Sequence, residues 1–350
     1  MRCERRRNSA GRPALLERPL PRGLCLGGTR DPAPDARRVM APFAKRLALL
    51  AAVVALAPGC QANVREDAAA APVQPAAAAA TVAAQPVEVP AFPPKPDGPS
   101  DFVYRGELEQ GGWIRGQVPA GTFRARLGGQ ALTLDEDGRF FAAFDRDAGP
   151  TARLVATLRN GSTIETDLAI ARRDWDIERV NIARRRGGAS EAWWSRRKPE
   201  LDQINAARGM DAPSQGWAQD FIWPVRGRIS GRFGSQRIYR GEPGSYHSGI
   251  DIAPGNGVPF VAPADGVVTL ATARPFSLEG YLLIIDHGQG LNSAFLHLSK
   301  IAVSEGQVVK QGQYLGNIGA SGRATGPHLH WSLKWRDARL DPLLFTGPMD

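Results

Sequence analysis

Between residues 101 and 345 the apolar residues come in short runs, and turn residues cut each run before it reaches helical length. A helix needs about ten to twelve residues with a 3.6-residue period, whereas runs of four to eight bounded by glycine or proline build strands. In the first part of this stretch the runs are 123–127, 140–144, 154–158 and 164–170, separated by Gly128-Gly129, Asp137-Gly138 and Asn160-Gly161. Strands this short at this spacing predict a small β-sandwich-like domain over residues 101–182. From Phe221 glycine becomes frequent and β-prone stretches recur at 267–271, 281–286, 292–297 and 329–334. These predict a second all-β domain, compact and antiparallel, over residues 221–345. Residues 183–220 are polar and Arg-rich, carry Trp193 and Trp194, and predict a connector with a short helix around 199–208. The fold class is all-β with one helical connector.

The net charge of +9 invites a nucleic-acid reading until its position is examined. Residues 1–39 hold ten Arg against four acidic residues, and Lys45 and Arg46 add two more positive charges. Only +1 is left for the remainder, which argues against a basic nucleic-acid surface. The early arginines have another explanation. From Met40 the chain has a positive segment, eleven apolar residues from Leu47 to Ala57, and then Pro58-Gly59-Cys60. That is the layout of a secretory signal over residues 40–60, too short to span a bilayer as a helix. Residues 1–39 then read as an upstream extension before the true start, the alternative being a disordered basic arm.

Of three cysteines, Cys3 and Cys25 precede Met40, so no disulfide framework is available beyond it. Ala57-Pro58-Gly59-Cys60 resembles a lipobox with its aliphatic residue, Leu56, one place early. The expectation is an exported protein of the cell envelope or periplasm, with a lipid on Cys60 anchoring it to the outer membrane. Simple cleavage near the same point is the alternative. Residues 61–100 mix Ala runs with eight Pro, so they form no core and serve as an extended linker.

All five histidines, 247, 287, 297, 328 and 330, lie in the last 104 residues. Grouped with Asp251 they call for a metal. In a strand, His328 and His330 face the same side, so one can bind a metal while the other acts on what the metal activates; alternation alone does not choose between them. His247 and Asp251 also share a face, but four extended residues span about 13 Å, too far for two ligands at about 2 Å from one ion. A bend near Ser248-Gly249 is therefore required. Two His and one Asp leave a position open for water, as catalytic zinc needs, and the absence of any redox signature favours zinc over iron or manganese. His297 and His328 can then serve as general base and oxyanion stabiliser.

His247-Ser-Gly-Ile-Asp251, Phe-Leu-His297-Leu-Ser and Gly322-Arg-Ala-Thr-Gly-Pro-His328-Leu-His330, in this order, resemble the lysostaphin/LytM-type zinc metallopeptidases. Gly257-Val-Pro-Phe-Val-Ala-Pro-Ala-Asp-Gly266 and Gly306-Gln-Val-Val-Lys-Gln-Gly312 match as well, so the resemblance covers about residues 221–345. It implies a duplicated-hybrid-motif β fold with an open groove, one Zn²⁺ on His247, Asp251 and His330, and catalytic His297 and His328. The implied activity is hydrolysis of peptide bonds in peptidoglycan stems or cross-links, with envelope proteins as further partners. Phe295 stands where the family often has Tyr, and His287 reads as structural. A non-catalytic envelope regulator using the same groove is the competing reading, and the complete ligand set speaks against it. A serine hydrolase is unsupported, since no Gly-x-Ser-x-Gly occurs.

Overall fold

The computed structural model describes residues 97–183 and 190–349, in which β-strands are the main regular element. The upstream extension, the signal segment with Cys60 and nearly all of the linker lie outside the described residues. The first unit holds β1 (Val103–Gly106), β2 (Trp113–Gln117), β3 (Thr122–Leu127), β4 (Gln130–Ala131), β5 (Arg139–Ala143), β6 (Thr151–Leu158) and β7 (Thr163–Ala169). They form two antiparallel sheets, ordered β1-β2-β5 and β4-β3-β6-β7. The turn signals act where alternation ends. In the β6–β7 hairpin the Asn160 side chain accepts from the Ser162 backbone N–H and hydroxyl, and Gly161 takes the positive φ (+87°) that only glycine adopts without strain. Inward residues of both sheets, including Ile114, Phe140, Leu154 and Leu168, are fully buried in one cluster.

That cluster does not stop at the edge of the first unit. Trp113 stacks on Phe141 (centroids 6.3 Å, planes 15° apart) and on Phe345 in α2 (Leu343–Thr346), while Phe141 meets Trp335 edge-on. Trp113 Nε1 donates to the Leu344 carbonyl at 2.9 Å, and the Phe141 N–H donates to Gln289 Oε1 at 2.6 Å. Aromatic pairs of this kind each add about 0.5–1.5 kcal/mol beyond burial. The first unit is thereby joined to the second by a continuous core.

After β8 (Ile177–Val180) comes α1 (Glu191–Arg208), capped by Ser190, whose hydroxyl accepts the Trp193 N–H. The sequence placed this helix at 199–208; it begins eight residues earlier, with Pro199 inside. Proline there removes one intrahelical hydrogen bond. The N-terminal half is instead secured from outside: buried Arg197 donates to both Glu279 carboxylate oxygens (2.6 and 2.7 Å) and to Glu200 (2.9 Å).

The second unit comprises β9 (Arg228–Gly231), β10 (Gln236–Tyr239), β11 (Glu242–Tyr246), β12 (Ile250–Ala253), β13 (Pro259–Val261), β14 (Gly266–Ala271), β15 (Tyr281–Asp286), β16 (Leu291–Ile301), β17 (Val308–Val309), β18 (Tyr314–Ile318), β19 (Leu329–Trp335) and β20 (Ala338–Leu340). Ten of these form one antiparallel sheet along the path β17-β14-β15-β16-β19-β12-β9, with β13, β18 and β20 branching from it. The uninterrupted apolar run of β15 signals cover on both faces. Leu283 and Ile285 enter the main core, and Leu282 and Ile284 pack with Ile204 and Ala207 of α1. A separate three-stranded sheet, β11-β10-β8, stands beside the large one; β8 reaches it from the first unit and pairs in parallel with β10.

Candidate metal centre and groove

The bend that the sequence demanded falls between β11, which ends at Tyr246, and β12, which starts at Ile250. It brings His247 Nε2 to 3.0 Å from Asp251 Oδ1. Gly249 makes the bend possible by bulk rather than by φ: a methyl group there would stand 2.5 Å from the Trp331 carbonyl and 2.8 Å from His330 Nε2. Gly231 of β9 is constrained in the same way, since its methyl would lie 2.5 Å from Asp251 Oδ2. Asp251 stands directly opposite His330 in the β12–β19 register. His330 Nδ1 lies 2.8 Å from Asp251 Oδ1 and 3.1 Å from His247 Nε2. Three potential ligand atoms thus form a near-equilateral triangle. His328 Nε2 is 3.8 Å from the same carboxylate oxygen, so the register brings His330 into the triangle and leaves His328 beside it.

The protonation pattern of this triangle favours a cation. His247 Nδ1 donates to the Arg232 carbonyl at 3.0 Å, so in the neutral ring Nε2 faces a carboxylate oxygen as a lone pair. Burial alone would lower the His247 pKa, but Asp251 outweighs it and the net shift is upward. Burial would likewise raise Asp251, yet the two imidazoles hold its carboxyl well below the usual range. His330, more deeply set, is shifted down by burial despite Asp251. These three residues make up a group able to hold a metal ion among the described residues.

His297 sits where β16 changes partners. Up to Leu296 the strand pairs with β19, and from Leu298 it pairs with β18. At the switch His297 adopts φ +63°, a left-handed conformation uncommon for a non-glycine residue, and a bulge of this kind re-aims a side chain. Its N–H donates to the Glu279 carbonyl at 2.8 Å and its Nδ1 to the Ser321 carbonyl at 2.9 Å, leaving Nε2 as the acceptor. Burial pushes its pKa down, so the ring is neutral near pH 7. The His328 ring lies 4.8 Å from it, with Nδ1 donating to the Gly326 carbonyl. Four of the five histidines therefore converge.

The fifth, His287, is fully buried; Nδ1 donates to the Asp265 carbonyl and Nε2 accepts from the Ser293 hydroxyl, both at 2.7 Å. Burial lowers its pKa to about 4. Phe295 does not face the site: it is fully buried against Phe260 and Trp331, so a hydroxyl there would enter the core.

Two contributors escaped the sequence reading. A cavity of about 930 Å³ is lined by His247, Asp251 and Arg323 together with Asp176, Glu178 and Ile182, which come from the stretch read from sequence only as a small β domain. The second is the Arg197–Glu279 pair, which braces the loop whose Glu279 carbonyl holds His297. No residue-type signal marks either; both depend on non-local pairing.

Comparison with known proteins gives a consistent result. Peptidase family M23 matches residues 245–342. The peptidoglycan DD-endopeptidase ShyA of Vibrio cholerae is 38% identical over 126 residues, covering 35% of this chain and 28% of that protein. The DD-carboxypeptidase/endopeptidase Mpg of Neisseria meningitidis is 36% identical over 125 residues, covering 35% and 27%. The chain thus spans little more than a quarter of the length of these curated relatives. A solved Pseudomonas aeruginosa chain, provisionally described as a peptidase M23, is 29% identical with a TM-score of 0.52, covering 69% of this chain and 96% of that one.

Proposed function

We propose, from the match of residues 245–342 to peptidase family M23, that the chain is a zinc-dependent endopeptidase that hydrolyses peptide bonds in the stems or cross-links of bacterial peptidoglycan. The observation that carries this is the His247–Asp251–His330 triangle with two further imidazoles beside it. The donor set suits zinc: at bonds of about 2.0–2.1 Å, tetrahedral zinc separates its ligand atoms by about 3.3 Å, close to the 2.8–3.1 Å edges of the triangle. His247, Asp251 and His330 would hold it, and the carbonyl on His247 Nδ1 fixes the tautomer that a ligand needs. When bound, zinc supplies a Lewis acid for the scissile carbonyl and acidifies water.

The remaining steps fall to the chain's own groups. His297, neutral and with Nε2 free to accept, takes the proton of the attacking water and returns it to the leaving amine. His328 would stabilise charge on the carbonyl oxygen only with both ring nitrogens protonated, since its Nδ1–H is taken up by the Gly326 carbonyl and Nε2 must then supply a second N–H. The 930 Å³ cavity receives the peptide, with Arg323 and the β8 acids on its walls. An envelope location and a lipid on Cys60 are supported by the layout of residues 40–60.

The test is incubation of the purified chain with isolated sacculi, with and without chelator, followed by mass spectrometry of the released fragments. Cross-linked muropeptides should disappear only without chelator, and His297→Ala should abolish cleavage while retaining zinc. Intact muropeptides with a zinc-loaded protein would refute the proposal.

A further inference from the structure

Buried arginines in this protein have partners. Arg115 pairs with Asp220, Arg146 with Asp147 and the Gly234 carbonyl, and Arg197 with Glu279. Arg208, the half-buried last residue of α1, differs. Its Nε, like those of Arg115 and Arg146, is sealed from solvent without a hydrogen-bond partner, but no ion pair reaches its guanidinium among the described residues. It borders a cavity of about 520 Å³ together with Lys334 of β19 and Arg336 of the β19–β20 turn. Arg336 donates one bond to the Thr133 hydroxyl (3.1 Å), but its Nε too is buried and unpaired. The facing acids are Asp337, fully exposed and 3.5 Å from Lys334 Nζ, and Asp211, also exposed. Asn205, Gly209, Met210 and Gly290 also line it.

An unpaired, desolvated cation is costly, and three cations around one cavity repel one another. Burial and the neighbouring Arg339 lower the Arg208 pKa to about 10 against a weaker opposing pull from Glu279, and burial followed by Arg208 lowers that of Lys334. An oxyanion in the cavity would remove both costs, since the arginine fork matches two oxygens of a carboxylate or phosphate. We propose that the cavity between the C-terminal end of α1 and the β19–β20 hairpin is a binding site for an oxyanion group, carboxylate or phosphate, gripped by Arg208, Lys334 and Arg336. It is separate from the metal centre: Lys334 shares a strand face with His330 but lies four residues, about 13 Å, along β19. The inference does not rest on the peptidase reading.

The full chain is titrated with sodium phosphate and, separately, sodium acetate at constant ionic strength, following the melting temperature and the heat of binding. Saturable binding of one or both anions is expected, and which anion binds identifies the ligand chemistry. Arg208→Gln should weaken it at least tenfold, yet melt no lower than wild type without anion, because it removes an unpaired buried charge. Lys334→Gln should weaken binding without loss of fold, and Arg124→Gln, on exposed β3, should change nothing. Absence of saturable binding by either anion, or equal affinity in wild type and both pocket variants, would overturn the proposal.

Discussion

Arg197→Met removes a buried guanidinium while keeping most of the volume of its stem. Arg197 makes three charge-assisted hydrogen bonds, and its side chain is 7% exposed against 16% for Glu279 and 14% for Glu200. Bonds to charged groups are worth about 1.5–3 kcal/mol each when buried. The carboxylates recover part of this because water reaches them, and Glu200 keeps its bonds to Ser277. A net loss of about 3 kcal/mol is the reasonable figure, and for a folded unit of this size each kcal/mol lowers the melting temperature by roughly 2–4 °C. The expected shift is therefore about 6–12 °C. The same change should loosen the Glu279 carbonyl that holds the His297 N–H at 2.8 Å. Since displacements near 1 Å cost up to about a hundredfold, kcat should fall about tenfold or more with KM nearly unchanged. Calorimetry and steady-state kinetics on Arg197→Met, with the Arg197→Glu/Glu279→Arg pair as partial rescue, measure both effects. If melting moves by less than about 1 °C, the clamp carries no load. If melting falls but kcat stays at the wild-type value, α1 supports the fold and does not position His297.

Asp251→Ala should reduce zinc content from one per chain to near zero by metal analysis, whereas His297→Ala should leave it unchanged; loss of metal in both would remove His297 from its role as base. The buried His287 gives a pH prediction. Its folded pKa of about 4 lies below the ordinary ~6.5, so the unfolded chain binds its proton first. Stability is unaffected above about pH 6.5 and is lost as pH falls toward 4, by roughly 2–3 kcal/mol between pH 7.5 and 4.5. Urea unfolding of wild type and His287→Gln at both pH values isolates this ring; parallel pH dependences would show that it is not the source.

What was legible in the sequence follows physical lines. The central strands were readable because burial forces alternation or continuous apolar runs, as in β6 and β15. β1 and β8 were not, since edge strands such as Ile177–Val180 bury little and carry no pattern. The start of α1 was misplaced because proline usually marks the first helical turn, whereas here a serine cap and an external ion pair override it. The histidine constellation was legible as chemistry but not as geometry. His328 and His330 are equivalent by alternation, and only the tertiary register Asp251↔His330 separates them. The left-handed turn at His297 had no signal either, because it arises where β16 exchanges β19 for β18.

The parallel pairing of β8 with β10 has a consequence for how the chain can be cut and recombined. Gln236 of β10 and Arg240, just past its end, donate backbone hydrogen bonds to the Asp176 and Val180 carbonyls. Excising residues 221–345 as a catalytic cassette would strip that strand away and expose a raw sheet edge, a template for aggregation. It would also discard Asp176 and Glu178 from the wall facing His247. Under the proposed peptidase reading, the cavity wall and the His247–Asp251–His330 triangle come from different stretches of chain, so exchanging residues 101–182 between relatives is expected to change specificity and to leave the triangle intact.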